Sequence, residues 1–114
     1  MGECFNGNVD YVSDYQNYVT GLFNYPMFFT TRDVFGSAKH SMYEFRNRYD
    51  EETGKFKDID ALGSFMDNHD NARFLSTGAS WSGFKSAMTF AMTARGIPFF
   101  YYGGEQGFSG GNDP

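Results

Sequence analysis

Apolar positions fall in short clusters separated by polar stretches, and the spacing changes along the chain. Met1-Gly2-Glu3-Cys4-Phe5 reads as the end of a strand. Residues 7–18 are polar and rich in Tyr, Asn and Asp, which predicts a loop or a short helical turn. Leu22-Phe23-Asn24-Tyr25 is an apolar run stopped by Pro26, the mark of a short buried strand. From Met27 to Tyr49 the pattern turns helical, since Phe28, Phe35, Met42, Phe45 and Tyr49 include spacings of three, four and seven. Gly36-Ser37 breaks that stretch into two pieces. Residues 50–58 are charged and predict a surface loop centred on Thr53-Gly54. Leu62 to Asp67 predicts another short strand. Residues 84–94 predict a helix with Phe84, Met88, Ala91 and Met92 on one face and Ala87 beside them. Gly96 and Pro98 stop it. Residues 97–102 then form a continuous apolar strand, followed by a glycine-rich loop.

Short strands joined by helices favour parallel pairing, and hence an α/β fold. Spacing alone leaves two forms of it, an open four-stranded layer or a piece of a barrel. No low-complexity tract or internal repeat stands out.

Composition narrows the function more than the fold. The 114 residues include 14 Phe, 8 Tyr and 1 Trp but only 3 Leu, 2 Ile and 4 Val, so the core must be largely aromatic. The net charge of −5 argues against a partner that is held by its phosphate backbone, so no nucleic acid is expected. The single cysteine, Cys4, excludes an internal disulfide framework and a cysteine-based zinc cluster. No run of 18 apolar residues occurs and no leader-like segment opens the chain, so no membrane association is expected. An aromatic, glycine-rich, acidic chain suits neutral polar ligands such as sugars.

Three segments could carry chemistry. Phe65-Met66-Asp67-Asn68-His69-Asp70-Asn71 places two carboxylates, two amides and an imidazole at the end of an apolar strand, where parallel α/β proteins gather ligand groups. Its plain alternative is a polar loop that caps the next element. No second histidine lies near His69, and no metal site is expected in this chain. Glu3 follows the first apolar segment. A lone Glu means little, but two carboxylates at one cleft are the minimum for glycosidic hydrolysis, and Asp70 supplies the second. Gly103-Gly104-Glu105-Gln106-Gly107 has the glycines of a phosphate cradle but no Gly-Lys-Ser/Thr and no nearby base, which discounts a nucleotide loop. Trp81, near a helix start, is read as packing rather than as a sugar platform.

At these residues the sequence resembles the alpha-amylase family of glycoside hydrolases, family 13. Gly2-Glu3-Cys4-Phe5-Asn6-Gly7 resembles the fifth-strand motif, and Phe65-Met66-Asp67-Asn68-His69-Asp70 the seventh. The segment from Gly96 through Tyr102, with Gly103-Gly104-Glu105-Gln106 and Gly110-Gly111-Asn112-Asp113-Pro114, is similar to the eighth strand and its loop. Leu22-Phe23-Asn24-Tyr25-Pro26 looks like the sixth. The likeness covers essentially the whole chain and is nearest in flavour to fungal-type secreted alpha-amylases. Spacing agrees: 67 positions separate Glu3 from Asp70, about two units of a barrel with roughly 30 residues per unit. Cys4 replaces a common aliphatic residue and Asn6 a common Asp.

The resemblance implies a partial (β/α)8 barrel, strands five to eight, with residues 1–114 forming the C-terminal half of a catalytic domain and no second domain. It implies retaining hydrolysis of α-1,4-glucosidic bonds in starch, glycogen and maltooligosaccharides. Glu3 would be the proton donor and Asp70 the transition-state stabiliser, with Gly7, Asn68, His69 and Asp113 at the substrate. The family's nucleophile is an Asp in a Gly-x-Arg-x-Asp-x-x-x-His pattern that nothing here matches, Arg32-Asp33 included. The isolated chain is therefore expected to be inactive. Calcium is expected in the full-length family member, with its ligands upstream, and the whole enzyme is expected to be a secreted monomer. Rival readings are a degenerate glucan-binding fragment, an α-glucosidase or glucanotransferase, and a transporter-associated relative with a structural role. The region upstream would separate them.

Overall fold

A computed structural model describes residues 1–111. In chain order the elements are α1 (Val9–Asp14), β1 (Leu22–Phe23), α2 (Tyr25–Thr31), α3 (Met42–Lys55), β2 (Leu62–Ser64), α4 (Trp81–Thr93) and β3 (Ile97–Pro98). The strands form one parallel sheet in the order β1-β2-β3, and Gly2 extends it through a parallel bridge to Leu22. The four strand segments are thus parallel, sequential neighbours, as the alternation of strand and helix required. Helical crossovers are what let parallel neighbours pair.

Each helix begins where a side chain can accept an orphan backbone N–H. Asn8 caps α1, Asn24 caps α2 and Ser80 caps α4. At α3, Ser41 and Glu44 exchange bonds in a capping box, with the Glu44 carboxylate taking the Ser41 N–H at 2.7 Å. Pro26 lies in the first turn of α2, where its missing N–H costs nothing. It opens a helix rather than merely ending a strand, and this shortens the expected strand to Leu22–Phe23. The break at Gly36-Ser37 is real: α2 runs into one wide π-type turn, Arg32–Gly36, and then stops.

Further expectations are corrected. Residues 50–58 are not a loop, because α3 continues to Lys55 and carries Thr53 and Gly54 inside it. Most of its charges lie on an outer face, with Arg46 bonded to Asp50 and Arg48 to Glu51 one turn along, while Glu52 turns inward. The apolar run 97–102 forms ladder only at Ile97–Pro98, although Phe99 N–H still donates to the Ser64 carbonyl at 2.7 Å. In α4 the buried face is Phe84, Ala87 and Ala91, while Met92 is half exposed. Within the polar segment 7–18 the helical alternative holds, and α1 turns Val9 and Val12 inward.

The core is only partly the aromatic one that the composition implied: one cluster is wholly aromatic, another mostly aliphatic. Phe28 stacks on Phe65 with centroids 4.8 Å apart, and Tyr25 meets both edge-on. A second cluster joins Val9, Val12, Leu22, Phe56, Ile59 and Leu62 under α1. A third packs Met66 and Phe74 against α4 through Phe84 and Ala87. Two glycines set close approaches. A Cβ at Gly83 would lie 2.0 Å from the Phe35 carbonyl oxygen, so α4 packs directly on the π-type turn. Gly96, at φ +109°, turns the chain from α4 into β3, where a Cβ would lie 2.5 Å from the Leu62 carbonyl oxygen.

Gly54 is the opposite case. It sits in helix α3, and a methyl group added there would meet nothing within 4 Å. Gly54→Ala should therefore raise stability by about 0.5–1 kcal/mol. Denaturant midpoints would check this. A loss of stability would mean that this segment is not helical.

Candidate active site

The carboxyl ends of the strands share one rim, and the sequence-predicted residues divide there. Glu3 follows the Gly2 bridge, Tyr25 follows β1, Asp67 to Asp70 follow β2, and Phe99 to Tyr101 follow β3. A cleft of about 190 Å³ opens between them. Its polar side is Glu3, Asp67, Asn68 and His69. Its walls are the rings of Phe23, Phe65, Phe99, Phe100 and Tyr101. Larger clefts lie elsewhere, so size does not mark the chemistry.

One hydrogen-bonded chain ties the rim together. The Tyr25 hydroxyl donates to Glu3 Oε1 at 2.6 Å, and the Asn68 amide donates to the same hydroxyl at 2.9 Å. Asn68 Oδ1 in turn accepts the Asp70 N–H at 3.2 Å and the Asn71 amide at 2.7 Å. Asn68 thereby folds the segment after β2 back on itself and holds it to Tyr25. Burial and the Glu3 contact push the Tyr25 hydroxyl up to about 12, so it stays a donor across the whole working range. Glu3 is exposed on the cleft side. Its orientation is set by a phenol that cannot leave the core, because Tyr25 is 1% exposed and packed by Phe28 and Phe65.

His69 and Asp70 are both exposed, with His69 Nε2 3.4 Å from Asp70 Oδ2. His69 lines the cleft with Glu3, whereas Asp70 stands beside it and joins the rim through Asn68 and His69. Gly7 is not brought there. It borders a separate cleft of about 420 Å³ with Phe29, Asp33, His40 and Arg48. Asp113 lies outside the described residues. Trp81 is half exposed but packs edge-on against Phe84 and covers Gly107, so it serves as packing.

The sequence reading missed what supports the rim from below. Asp67 is buried, and its carboxyl is raised by burial, partly offset by the Phe74 N–H and by Arg73 and Arg32. Arg32 reaches across from the π-type turn to donate to the carbonyls of Met66 and Ala72, at 3.0 and 2.9 Å. It braces both sides of the Asn68–Asp70 segment. Arg73 is 1% exposed, with its guanidinium 4.0 Å from the Tyr101 centroid, 4.8 Å from Tyr102 and 4.0 Å from Asp67. Neither arginine had a sequence signal. Among the described residues no three His, Cys, Asp or Glu side chains converge into a metal-binding group. No described helix is long and apolar enough to cross a membrane.

Fold and rim together define a parallel α/β protein with an acidic, aromatic-walled cleft at the carboxyl ends of its strands. Residues 1–113 match the family model of the alpha amylase catalytic domain, and the chain belongs to that family. It is 41% identical over 122 aligned positions to a beta/alpha-amylase of Paenibacillus polymyxa, a match that covers all of this chain and 10% of that protein. Its backbone superposes on the structure of an alpha-amylase from Malbranchea cinnamomea with a TM-score of 0.92 at 33% identity, over 99% of this chain and 24% of that one. An alpha-amylase from Geobacillus thermoleovorans, solved in complex with acarbose, gives 0.87 at 32% identity, over 99% of this chain and 27% of that one. The chain thus spans about a quarter or less of the length of most of the relatives it matches.

Proposed function

We propose that residues 1–114 are the C-terminal half of a (β/α)8 catalytic barrel, strands five to eight, of an endo-acting enzyme that hydrolyses α-1,4-glucosidic bonds with retention. The observation that carries the reading is the bond chain Glu3–Tyr25–Asn68–Asp70, which joins the ends of three successive parallel strands in a member of the alpha-amylase family. Its substrates would be starch, glycogen and maltooligosaccharides. The acarbose complex of the Geobacillus relative supports an oligosaccharide ligand.

In this mechanism Glu3, protonated, donates to the departing glycosidic oxygen while an Asp from outside these residues attacks the anomeric carbon. The Glu3 carboxylate then takes a proton from the water that releases the glycosyl group. Tyr25 holds Glu3 in place for both steps. Asp70 and His69 bind hydroxyls of the distorted sugar, contacts that strengthen as the ring flattens. Asn68 orients its neighbours, and Asp113 would contact a more distant glucose unit. Calcium would be held by residues outside this chain. The whole enzyme would be a secreted monomer.

Proton NMR of a maltooligosaccharide digest by the intact enzyme tests the reaction. The α-anomer should appear first and mutarotate later. A β-anomer as first product, or no cleavage of α-1,4 bonds, overturns the proposal.

A further inference from the structure

Glu52 is a buried carboxyl with no part in the reaction steps. It is 1% exposed, Asn24 is 6% and Tyr25 is 1%, within these residues alone. Groups that are already sealed cannot be reached by any further segment of the enzyme, so their surroundings are complete in this chain. A leucine would fill the space of Glu52 without the cost of burying a carboxyl. What the carboxyl adds is an acceptor, and its Oε2 takes the Asn24 amide at 2.8 Å.

Asn24 is the joint between β1 and α2. Its backbone N–H donates to the Gly63 carbonyl at 2.9 Å and carries the pairing of β1 with β2 one residue further. Its carbonyl accepts the Phe28 N–H at 2.9 Å and its Oδ1 the Met27 N–H at 3.0 Å, and with these α2 begins. The two ends of the amide thus have fixed partners, a donor at Met27 and an acceptor at Glu52. Turning the amide over would set N–H against N–H at Met27 and break both bonds. The residue after the joint is Tyr25, whose hydroxyl donates to Glu3 Oε1 at 2.6 Å. The angle at which α2 leaves β1 therefore sets where that hydroxyl arrives. Arg48, one turn before Glu52 on α3, reaches Thr30 Oγ1 at 3.3 Å near the far end of α2. Glu52 is the tie at the end that carries Tyr25.

We infer that Glu52 is a positioning residue for the acid: through the Asn24 amide it fixes the first turn of α2, and with it the reach of Tyr25 to Glu3. The inference rests on the reading of Glu3 as the acid of an α-glucan hydrolase. Glu52 touches no substrate, and its effect falls on proton delivery.

The test measures kcat/KM of the intact enzyme on a maltooligosaccharide, whose leaving oxygen needs the proton, and on α-maltosyl fluoride, whose fluoride leaves without it. The ratio of the two does not depend on how much of the enzyme is folded. Glu52→Leu should lower this ratio about tenfold, through kcat, with KM on the maltooligosaccharide nearly unchanged. Glu52→Gln still accepts from Asn24 and should stay within about twofold of wild type. In a Tyr25→Phe background Glu52→Leu should cost about twofold or less, since the link it acts through is already cut. A ratio unchanged in Glu52→Leu, a Gln variant as weak as the Leu variant, or the same loss in both backgrounds overturns the positioning role while hydrolysis stands. Wild-type enzyme that cleaves neither substrate overturns the hydrolase reading, and the positioning role with it.

Discussion

Glu3→Gln in the intact enzyme should lower kcat on maltooligosaccharides by about a thousandfold or more, with KM nearly unchanged. The amide keeps the shape and still accepts from the Tyr25 hydroxyl, which lies 2.6 Å from Glu3 Oε1. It cannot give a proton to the leaving oxygen or take one from water. Because the contact with Tyr25 survives, the geometry of Asn68 and the segment behind it also survives. His69→Ala should cost far less, since it removes a hydroxyl contact and leaves the acid in place. A substrate with a leaving group that needs no protonation separates the roles: the first step should recover in Glu3→Gln with such a substrate, while the second stays slow. Turnover by Glu3→Gln equal to wild type would show that another residue is the acid.

The second large effect is on stability, at Glu52. This side chain is 1% exposed, toward the C-terminal end of α3. Its Oε2 accepts from the Asn24 amide at 2.8 Å, and its Oε1 has no hydrogen-bond partner. Burial pushes the carboxyl up to about 7 from an ordinary 4.5, with Asn24 and Arg48 opposing the shift and Glu51 adding to it. The folded state holds a proton that the unfolded chain has already released above 4.5. Stability must then fall as pH rises from about 4.5 to about 7, and level off beyond. The full drop is of the order of 3 kcal/mol. Glu52→Gln removes this titration. Near pH 4 it should match wild type, because the protonated acid and the amide are alike in shape and hydrogen bonding. By about pH 8 it should be more stable by about 3 kcal/mol. Denaturant midpoints measured across this range decide the matter, and parallel curves for the two proteins would sink the assignment.

Glu52 also shows where sequence reasoning stopped. Residues 50–58 look like a solvated loop because six of the nine are Asp, Glu or Lys and one is Gly. The helix persists because α3 starts from a strong capping box and packs on α2 and α1, which outweighs one Gly. Nothing local says that one Glu of this run turns inward. Its partner, Asn24, is 28 residues upstream and also caps α2 at the end of β1. Arg73 makes the same point. An Arg in a polar segment reads as exposed, yet it is sealed beneath Tyr101 and Tyr102.

By itself the sequence determined the alternation of short apolar strands and helices, the break after Gly36, the aromatic share of the core, and the clusters around Glu3 and Asn68–Asp70. Those features depend on a residue's near neighbours, on period, caps and breakers, and these act within one or two turns of chain. The tertiary structure alone decided that Tyr25 holds Glu3, that Arg32 and Arg73 brace the rim, and that Glu52 is buried. It also decided that the apolar run 97–102 pairs over only two residues, leaving Phe99 and Phe100 to wall the cleft. Each of these depends on which distant segment supplies the neighbour. Desolvation and hydrogen bonding act through space over a few ångströms, and the order of residues along the chain does not record that distance.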